Sequence, residues 1–379
     1  MTKHGYKQNA YYLIYLIRCV LNNKIPAKTK LDKMDLSGVF AVAKAHSLTA
    51  IAAYALESAG IYNKYFEEEK AKAIRKNILL DVERGKVLTE LEKAGIWYMP
   101  LKGSVLKDFY PMIGMRQMAD NDILFDASKA VEVKEIMGKL GFSTESFDGG
   151  NHDVYHKQPV FNFEMHQALF GPSHDKAITQ YYSNVKTRLV QDINTVFSFR
   201  FSDEDFYIYI TAHEYKHYKG GGTGLRNLVD RYVYLNHFDD SLDMTYIEQE
   251  LVKMQIDDYE RTSREMLLKL FTGQRLTTDE SKLLDYYIFS GTYGTTENSV
   301  NNKVQKFGGN QSAKWKYALD RFSVPLCKSN PHYRAYKAQY PFFYEHKILL
   351  PTLPFYRLFH SLYKSRKRIL TEIRTLLKV

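Results

Sequence analysis

Residues 101–122 read L-K-G-S-V-L-K-D-F-Y-P-M-I-G-M-R-Q-M-A-D-N-D, a Gly-Ser turn followed downstream by two carboxylates spaced i, i+2. Just before it, Ile96-Trp97-Tyr98-Met99 is a short aromatic and β-branched run entered from Ala94-Gly95, so a buried strand is expected to deliver the chain to Gly103. Gly103 and Ser104 then open a helix, where unpaired N–H groups and a missing side chain suit an approaching phosphate. Downstream, Asp120-Asn121-Asp122-Ile123-Leu124-Phe125 reads as the start of a strand, on which residues i and i+2 face the same way. Asp120 and Asp122 could therefore hold one or two hard cations between them, as Mg²⁺ requires of oxygen ligands. The plainer alternative is that both are solvated residues capping a turn.

A third carboxylate would complete such a site. Val160-Phe161-Asn162-Phe163-Glu164-Met165-His166 offers one acid, Glu164, flanked by hydrophobic residues in another strand-like run. His166, two residues on, shares its face and either touches a ligand or hydrogen-bonds Glu164. Together these residues resemble the polymerase-beta-type nucleotidyltransferase superfamily, and within it a bacterial family of uncharacterised nucleotidyltransferases. The resemblance rests on Lys102-Gly103-Ser104, Tyr110-Pro111, Arg116, Asp120-x-Asp122, Glu164-x-His166 and a later His213…Lys216-His217…Arg226…Asp230 run, and it covers most of the chain.

The resemblance implies transfer of a nucleoside monophosphate from a nucleoside triphosphate to a hydroxyl or phosphate acceptor, with Mg²⁺, two ions in the usual arrangement. Asp120 and Asp122 would bridge the metals. Glu164 would bind the ion on the acceptor side and take the proton of the incoming hydroxyl. Ser104 and the Gly103 backbone would hold the β,γ-phosphates, while Lys102 and Arg116 would contact the triphosphate charge. His166, His213 and His217 would line the nucleotide cleft. For Arg116 an equal alternative is an ion pair that braces the loop. Arg226 and Asp230 would also face the cleft, although for these two a pair across one helical turn is the preferred reading. The family's association with bacterial surface-polysaccharide synthesis points to a sugar or sugar-phosphate acceptor.

His213-Glu214-Tyr215-Lys216-His217 is formally H-E-x-x-H, the pattern of a zinc hydrolase. Against that reading, a charged Lys216 adjoins the second histidine, no clear third-ligand motif follows, and Gly220-Gly221-Gly222 interrupts the helix. The glycine run lacks the spacing of a phosphate loop and follows a helix rather than a strand, so a flexible interhelical connection is expected.

With 379 residues, 45% of them hydrophobic, the chain is long enough for two or three subdomains with a substantial core. Cys19 and Cys327 match no metal or redox spacing, and neither a signal-peptide core nor a spanning segment is apparent, which points to a cytoplasmic location. The net charge of +10 is uneven: residues 328–379 hold 11 Lys or Arg against 2 Glu, so the rest of the chain is almost neutral and nucleic-acid binding by it is not expected. That tail mixes aromatic and apolar residues with cations. It is either a terminal helix packed on the core with a solvated basic face or a peripheral contact with an anionic membrane.

Apolar spacing predicts helices over 11–21, 39–56 and 66–91, strands around Trp97 and over 122–125, 141–144, 154–156 and 160–166, and a helix over 128–140. Beyond residue 202 helices are expected over 206–217, 225–236, 244–270 and 278–288. Residues 291–311, rich in Gly, Thr and Asn, are expected as a mobile loop. The reading is an α+β protein: an N-terminal helical region (1–95), a small mixed sheet carrying the catalytic core (96–201), a helical domain (202–327) and a basic amphipathic segment (328–379). Its alternatives are a glycosyltransferase using Asp120-x-Asp122, a nucleotide-binding module without turnover, and the zinc hydrolase.

Overall fold

Apolar residues at helical spacing fold the first part of the chain into α1 (Lys3–Leu21), α2 (Lys28–Leu31), α3 (Leu36–Ala45), α4 (Thr49–Ser58) and α5 (Lys64–Lys93). The computed structural model describes every residue except 173, 194, 328, 329, 331 and 379. The single helix expected over 39–56 is two helices, because Ser47 takes φ 55° and turns the chain between α3 and α4.

The central region supplies β1 (Tyr98–Pro100), α6 (Gly103–Leu106), β2 (Asn121–Phe125), α7 (Ala130–Lys139), β3 (Ser143–Ser146), β4 (His152–Lys157) and β5 (Phe161–His166). The five strands form one mixed sheet in the order β1-β2-β5-β4-β3; β2 and β5 are parallel and the other neighbours antiparallel. In this register Asp122 lies opposite Glu164, and His166 lies opposite both Leu124 and His152. Side chains alternate across a sheet. Ile123, Phe125, Tyr155, Phe163 and Met165 face one way and pack on Val87 and Leu91 of α5 and on Val133 and Met137 of α7. Asp122, Glu164, His166 and His152 consequently share the opposite face.

After β5 come α8 (Lys176–Tyr181) and a two-stranded hairpin, β6 (Val190–Gln191) and β7 (Phe199–Arg200), which the apolar pattern does not announce. The chain then turns helical: α9 (Asp203–Lys219), α10 (Leu225–Phe238), α11 (Met244–Lys253), α12 (Asp257–Thr272) and α13 (Thr278–Ser290). Here too one expected helix, 244–270, is split, at Gln255 with φ 59°. α9 starts at Ser202, whose hydroxyl accepts from the Asp205 N–H; acids fill its first turn and Lys216, His217 and Lys219 its last, matching the helix dipole. Leu101 and Leu124 share an apolar cluster with Tyr209 and Ile210 of α9, so this helix covers the face of the sheet that carries Asp122 and Glu164. The N-terminal helices and α10, α12 and α13 share a second core, with Leu13, Ile51, Leu228, Met266 and Leu284 buried together.

Residues 291–311 are not simply a loop. They contain α14 (Thr296–Lys306), capped by Thr295, whose Val300 and Val304 pack on Ala313 and Tyr317; the polar composition conceals a narrow apolar stripe. The chain ends in α15 (Gln311–Phe322), α16 (Tyr333–Gln339), α17 (Pro341–Glu345) and α18 (Leu353–Lys378).

The irregular connection from Tyr110 to Asp120 carries no helix or strand of its own and is held by side chains from outside. Lys76 donates to the Ala119 carbonyl (2.8 Å), Asn77 to that of Arg116 (3.3 Å), and the Gln117 side-chain oxygen accepts from Thr49 Oγ1 (2.9 Å) and the Ala50 N–H (3.2 Å). Gly114, at φ 82°, lets the connection lie directly on α5: a Cβ there would sit 2.8 Å from Ile74 Cγ1 and 3.0 Å from Ile74 N. Gly114→Ala combines positive φ with that clash and is expected to lower stability by about 2 kcal/mol, read as a fall in the urea midpoint; an unchanged midpoint would contradict this packing.

Candidate active site

Three carboxylates meet on the helix-covered face of the sheet. Asp122 and Glu164 are side by side because β2 and β5 pair in parallel, and Asp120 precedes β2 by one residue. Burial, then the charges of Asp122 and Glu164, push the Asp120 pKa up to about 6. At Asp122 burial also opposes ionisation, but the Lys102 ammonium (2.6 Å) and His166 Nε2 (2.8 Å), both at Oδ1, hold its carboxyl well below the usual range. Glu164 is lowered by His166, whose Nε2 is 3.5 Å from Oε2, in spite of burial; His152 Nε2 lies 3.8 Å from the same oxygen. Lys102 reaches Asp122 from a backbone at φ 47°, ψ −113°, a region costing a non-glycine residue about 1–3 kcal/mol and typical of functional sites.

The opposite wall is cationic. α9 presents His213, Lys216 and His217, and α10 presents Arg226, across a cleft of about 330 Å³ whose lining also includes Lys102, the three acids and Tyr293. Burial, then repulsion from Lys102, brings the Lys216 pKa down to about 8. Burial followed by the Lys216 charge keeps His213 well below its ordinary value and His217 at about 3, so both imidazoles are neutral at pH 7; their Nε2 atoms are 3.3 Å apart. Arg226 makes no ion pair among the described residues, and its Nε is buried without a partner.

The rotation of α9 is fixed by a buried polar network at the floor of the cleft, whose lining includes Glu214 and Arg231. Arg231 donates to Ser263 Oγ (2.7 Å), the Tyr207 hydroxyl (2.9 Å) and Glu214 (3.3 Å), while Tyr287 donates to Glu214 (2.7 Å). This disposes of the zinc-hydrolase pattern. Glu214 is buried and bonded to Arg231 and Tyr287, so it cannot activate water, and no third ligand joins His213 and His217 among the described residues.

Of the Gly-Ser turn, Gly103 lines the cleft and Ser104 does not. The Ser104 hydroxyl is buried and donates to the Leu101 carbonyl (2.7 Å), closing the turn, and Ser104 is absent from the cleft lining. The space above Gly103 is filled by Arg116, whose Nη1 would collide with any Cβ there. Arg116 itself makes a bidentate pair with Asp230, Nε to Oδ1 at 2.8 Å and Nη2 to Oδ2 at 3.0 Å, and the Tyr110 hydroxyl donates to the same carboxylate (2.6 Å). Arg116 thus clamps the connection to α10, and Asp230 pairs with it rather than across a turn with Arg226.

The donors present suit a divalent cation: three crowded carboxylates, one of them raised in pKa by burial and then by its neighbours' charge, with His152, Glu164 and His166 offering ligand atoms within 4.8 Å of one another. The Nδ1 atoms of both His152 and His166 are buried without a hydrogen-bond partner. Sequence reasoning overlooked His152 and Lys216 as site residues. His152 joins only through the β4–β5 register, and Lys216 stood in the sequence as an argument against zinc rather than as part of a cleft wall.

A family model described as "Uncharacterised nucleotidyltransferase" matches residues 32–272, more than half of the chain. Comparison with curated proteins found no match, and neither did comparison with solved structures.

Removing Asp230 would leave the buried Arg116 charge unpaired, so Asp230→Ala is expected to cost about 3–5 kcal/mol in chemical unfolding. Arg116→Met combined with Asp230→Leu should recover most of that loss. A cost below about 1 kcal/mol for the single change would show that the clamp carries no structural burden.

Proposed function

We propose that this chain, which belongs to the uncharacterised nucleotidyltransferase family, transfers a nucleoside monophosphate from a nucleoside triphosphate to a hydroxyl or phosphate acceptor with the help of Mg²⁺. The observation that carries the reading is the register of β2 and β5, which sets Asp122 beside Glu164, with Asp120 at the head of the strand and a cationic wall across the cleft. In such a transfer the acceptor oxygen forms a bond to the α-phosphorus as the bond to pyrophosphate breaks, and negative charge gathers on the entering and leaving oxygens. A bound divalent cation would offset that charge and orient the two ends.

Asp120, Asp122 and Glu164 are the residues that would hold one or two such ions, with His152 and His166 as neighbouring nitrogen donors. Lys102, Lys216 and Arg226 bind triphosphate oxygens, the guanidinium suited to a two-point grip and the ammonium groups to point contacts. Lys102 exchanges Asp122 for phosphate when the acid takes a cation. Neutral His213 and His217 hydrogen-bond the nucleotide. Glu164 accepts the proton of the acceptor hydroxyl at Oε2, beside which the Nε2 atoms of His166 and His152 lie at 3.5 and 3.8 Å and hold the carboxylate in place. A sugar or sugar-phosphate is the acceptor class we assign.

A metal-dependent glycosyltransferase would need Asp120-x-Asp122 but neither Glu164 in register nor the cationic wall; the presence of both favours nucleotidyl transfer. Incubation with labelled nucleoside triphosphates, Mg²⁺ and sugar-phosphate acceptors should release pyrophosphate. Asp122→Asn should reduce that release by at least about 100-fold while the protein melts as a folded chain. Release of nucleoside diphosphate from a nucleotide-sugar, or an undiminished rate in the variant, would refute the assignment.

Lys216 supplies a pH test. Its ammonium is charged below about 8, so affinity for a non-hydrolysable triphosphate should be present at pH 7 and fall as pH rises through and above that value. Lys216→Arg should bind equally at pH 7 and pH 9, titration calorimetry being the measurement; a parallel loss in this variant would remove Lys216 from the phosphate grip.

A further inference from the structure

Of the 26 residues of α18 only Leu353, Ile369 and Thr375 are buried. Phe355, Phe359, Leu362 and Tyr363, spaced to lie along one side of the helix, are exposed, Phe359 at 69% and Tyr363 at 90%; Ile373 and Leu377 repeat the pattern nearer its end. Between the two sets the helix is interrupted at Ser365 (φ −138°, ψ 40°), so α18 is two segments meeting at a kink. Lys364, Arg366, Lys367 and Arg368 surround that kink, and none of the four makes an ion pair among the described residues. Beside the helix, a cavity of about 310 Å³ between α15 and α18 is walled by Phe322, Leu358, Ile373 and Leu376, with Arg321 and Arg357 also in its lining.

We propose that this C-terminal unit docks on an anionic lipid bilayer, α18 lying in the plane of the interface with its aromatic side in the acyl boundary and the kink cations among the head groups. Charge complementarity selects this occupant. Residues 328–379 carry 11 cations against 2 Glu, so a second copy of the chain would set like charges against each other across the contact. An anionic bilayer answers both features at once: the apolar side chains leave water, and the unpaired cations find phosphates. None of the described helices is long and apolar enough to cross a membrane, so the contact is one that lies on the surface. Ala338 of α16 lies against Gly149, in the connection that precedes β4. The proposal stands independently of nucleotidyl transfer.

The test is flotation of the full chain with vesicles of phosphatidylcholine alone and of phosphatidylcholine containing phosphatidylglycerol. Binding to the anionic vesicles should be at least about tenfold stronger, and should weaken with added salt. Phe355→Ser with Phe359→Ser and Tyr363→Ser, and separately Lys364→Gln with Arg366→Gln, Lys367→Gln and Arg368→Gln, should each lower it about tenfold. Nucleotide affinity and melting temperature should not change, since these side chains are exposed and far in sequence from the cleft residues. Equal binding to both vesicles, no binding, or wild-type binding by either variant would overturn the proposal. So would a dimer that the serine variant dissolves, or a shift with an RNA oligonucleotide in the absence of any vesicle response.

Discussion

Parallel pairing of β2 with β5 places two carboxylates at adjacent positions of one sheet, and mutual repulsion between acids so close must be answered by the rest of the molecule. The ammonium of Lys102 and the imidazole of His166 both converge on one oxygen of Asp122. Asp120, left without such partners, is the acid that resists ionisation, its pKa raised to about 6 by burial and by its two neighbours. A site that concentrates negative charge and only partly neutralises it is poised for a cation, whereas an acid pair serving structure alone is normally closed by its own counter-ions.

Everything beyond the sheet serves to face that charge with its opposite. The Arg231 network holds Glu214, buried and bonded, and with it the rotation of α9 that brings His213, Lys216 and His217 to the cleft. The Arg116–Asp230 clamp ties the connection before β2 to α10, the helix that brings Arg226. Two ion pairs that look alike in a sequence therefore have separate uses. One, between Arg116 and Asp230, is bidentate and braces the connection; in the other, between Lys102 and Asp122, a single ammonium meets an acid that stands beside Glu164.

The α+β architecture, the five strands and the meeting of Asp120, Asp122 and Glu164 at one cleft were legible because each depends on local alternation and on short spacings. Helix breaks at Ser47 and Gln255 were not, since neither residue type announces positive φ. Helix α14 was concealed by its polar composition. The packing of Arg116 over Gly103 and the Ser104–Leu101 hydrogen bond were hidden for a different reason. A glycine before a short helix suits a phosphate and a guanidinium equally, and the competitor, Arg116, is held there by an acid 114 residues further on. His152 required the hairpin register, which no local pattern specifies.

The central claim is that Asp120, Asp122 and Glu164 jointly bind a divalent cation. Electron paramagnetic titration of Mn²⁺, a spectroscopic substitute for Mg²⁺, in the presence of a non-hydrolysable nucleoside triphosphate tests it most directly. The account predicts saturable binding in the native chain that Glu164→Gln weakens by at least about tenfold; identical binding in both proteins would contradict it.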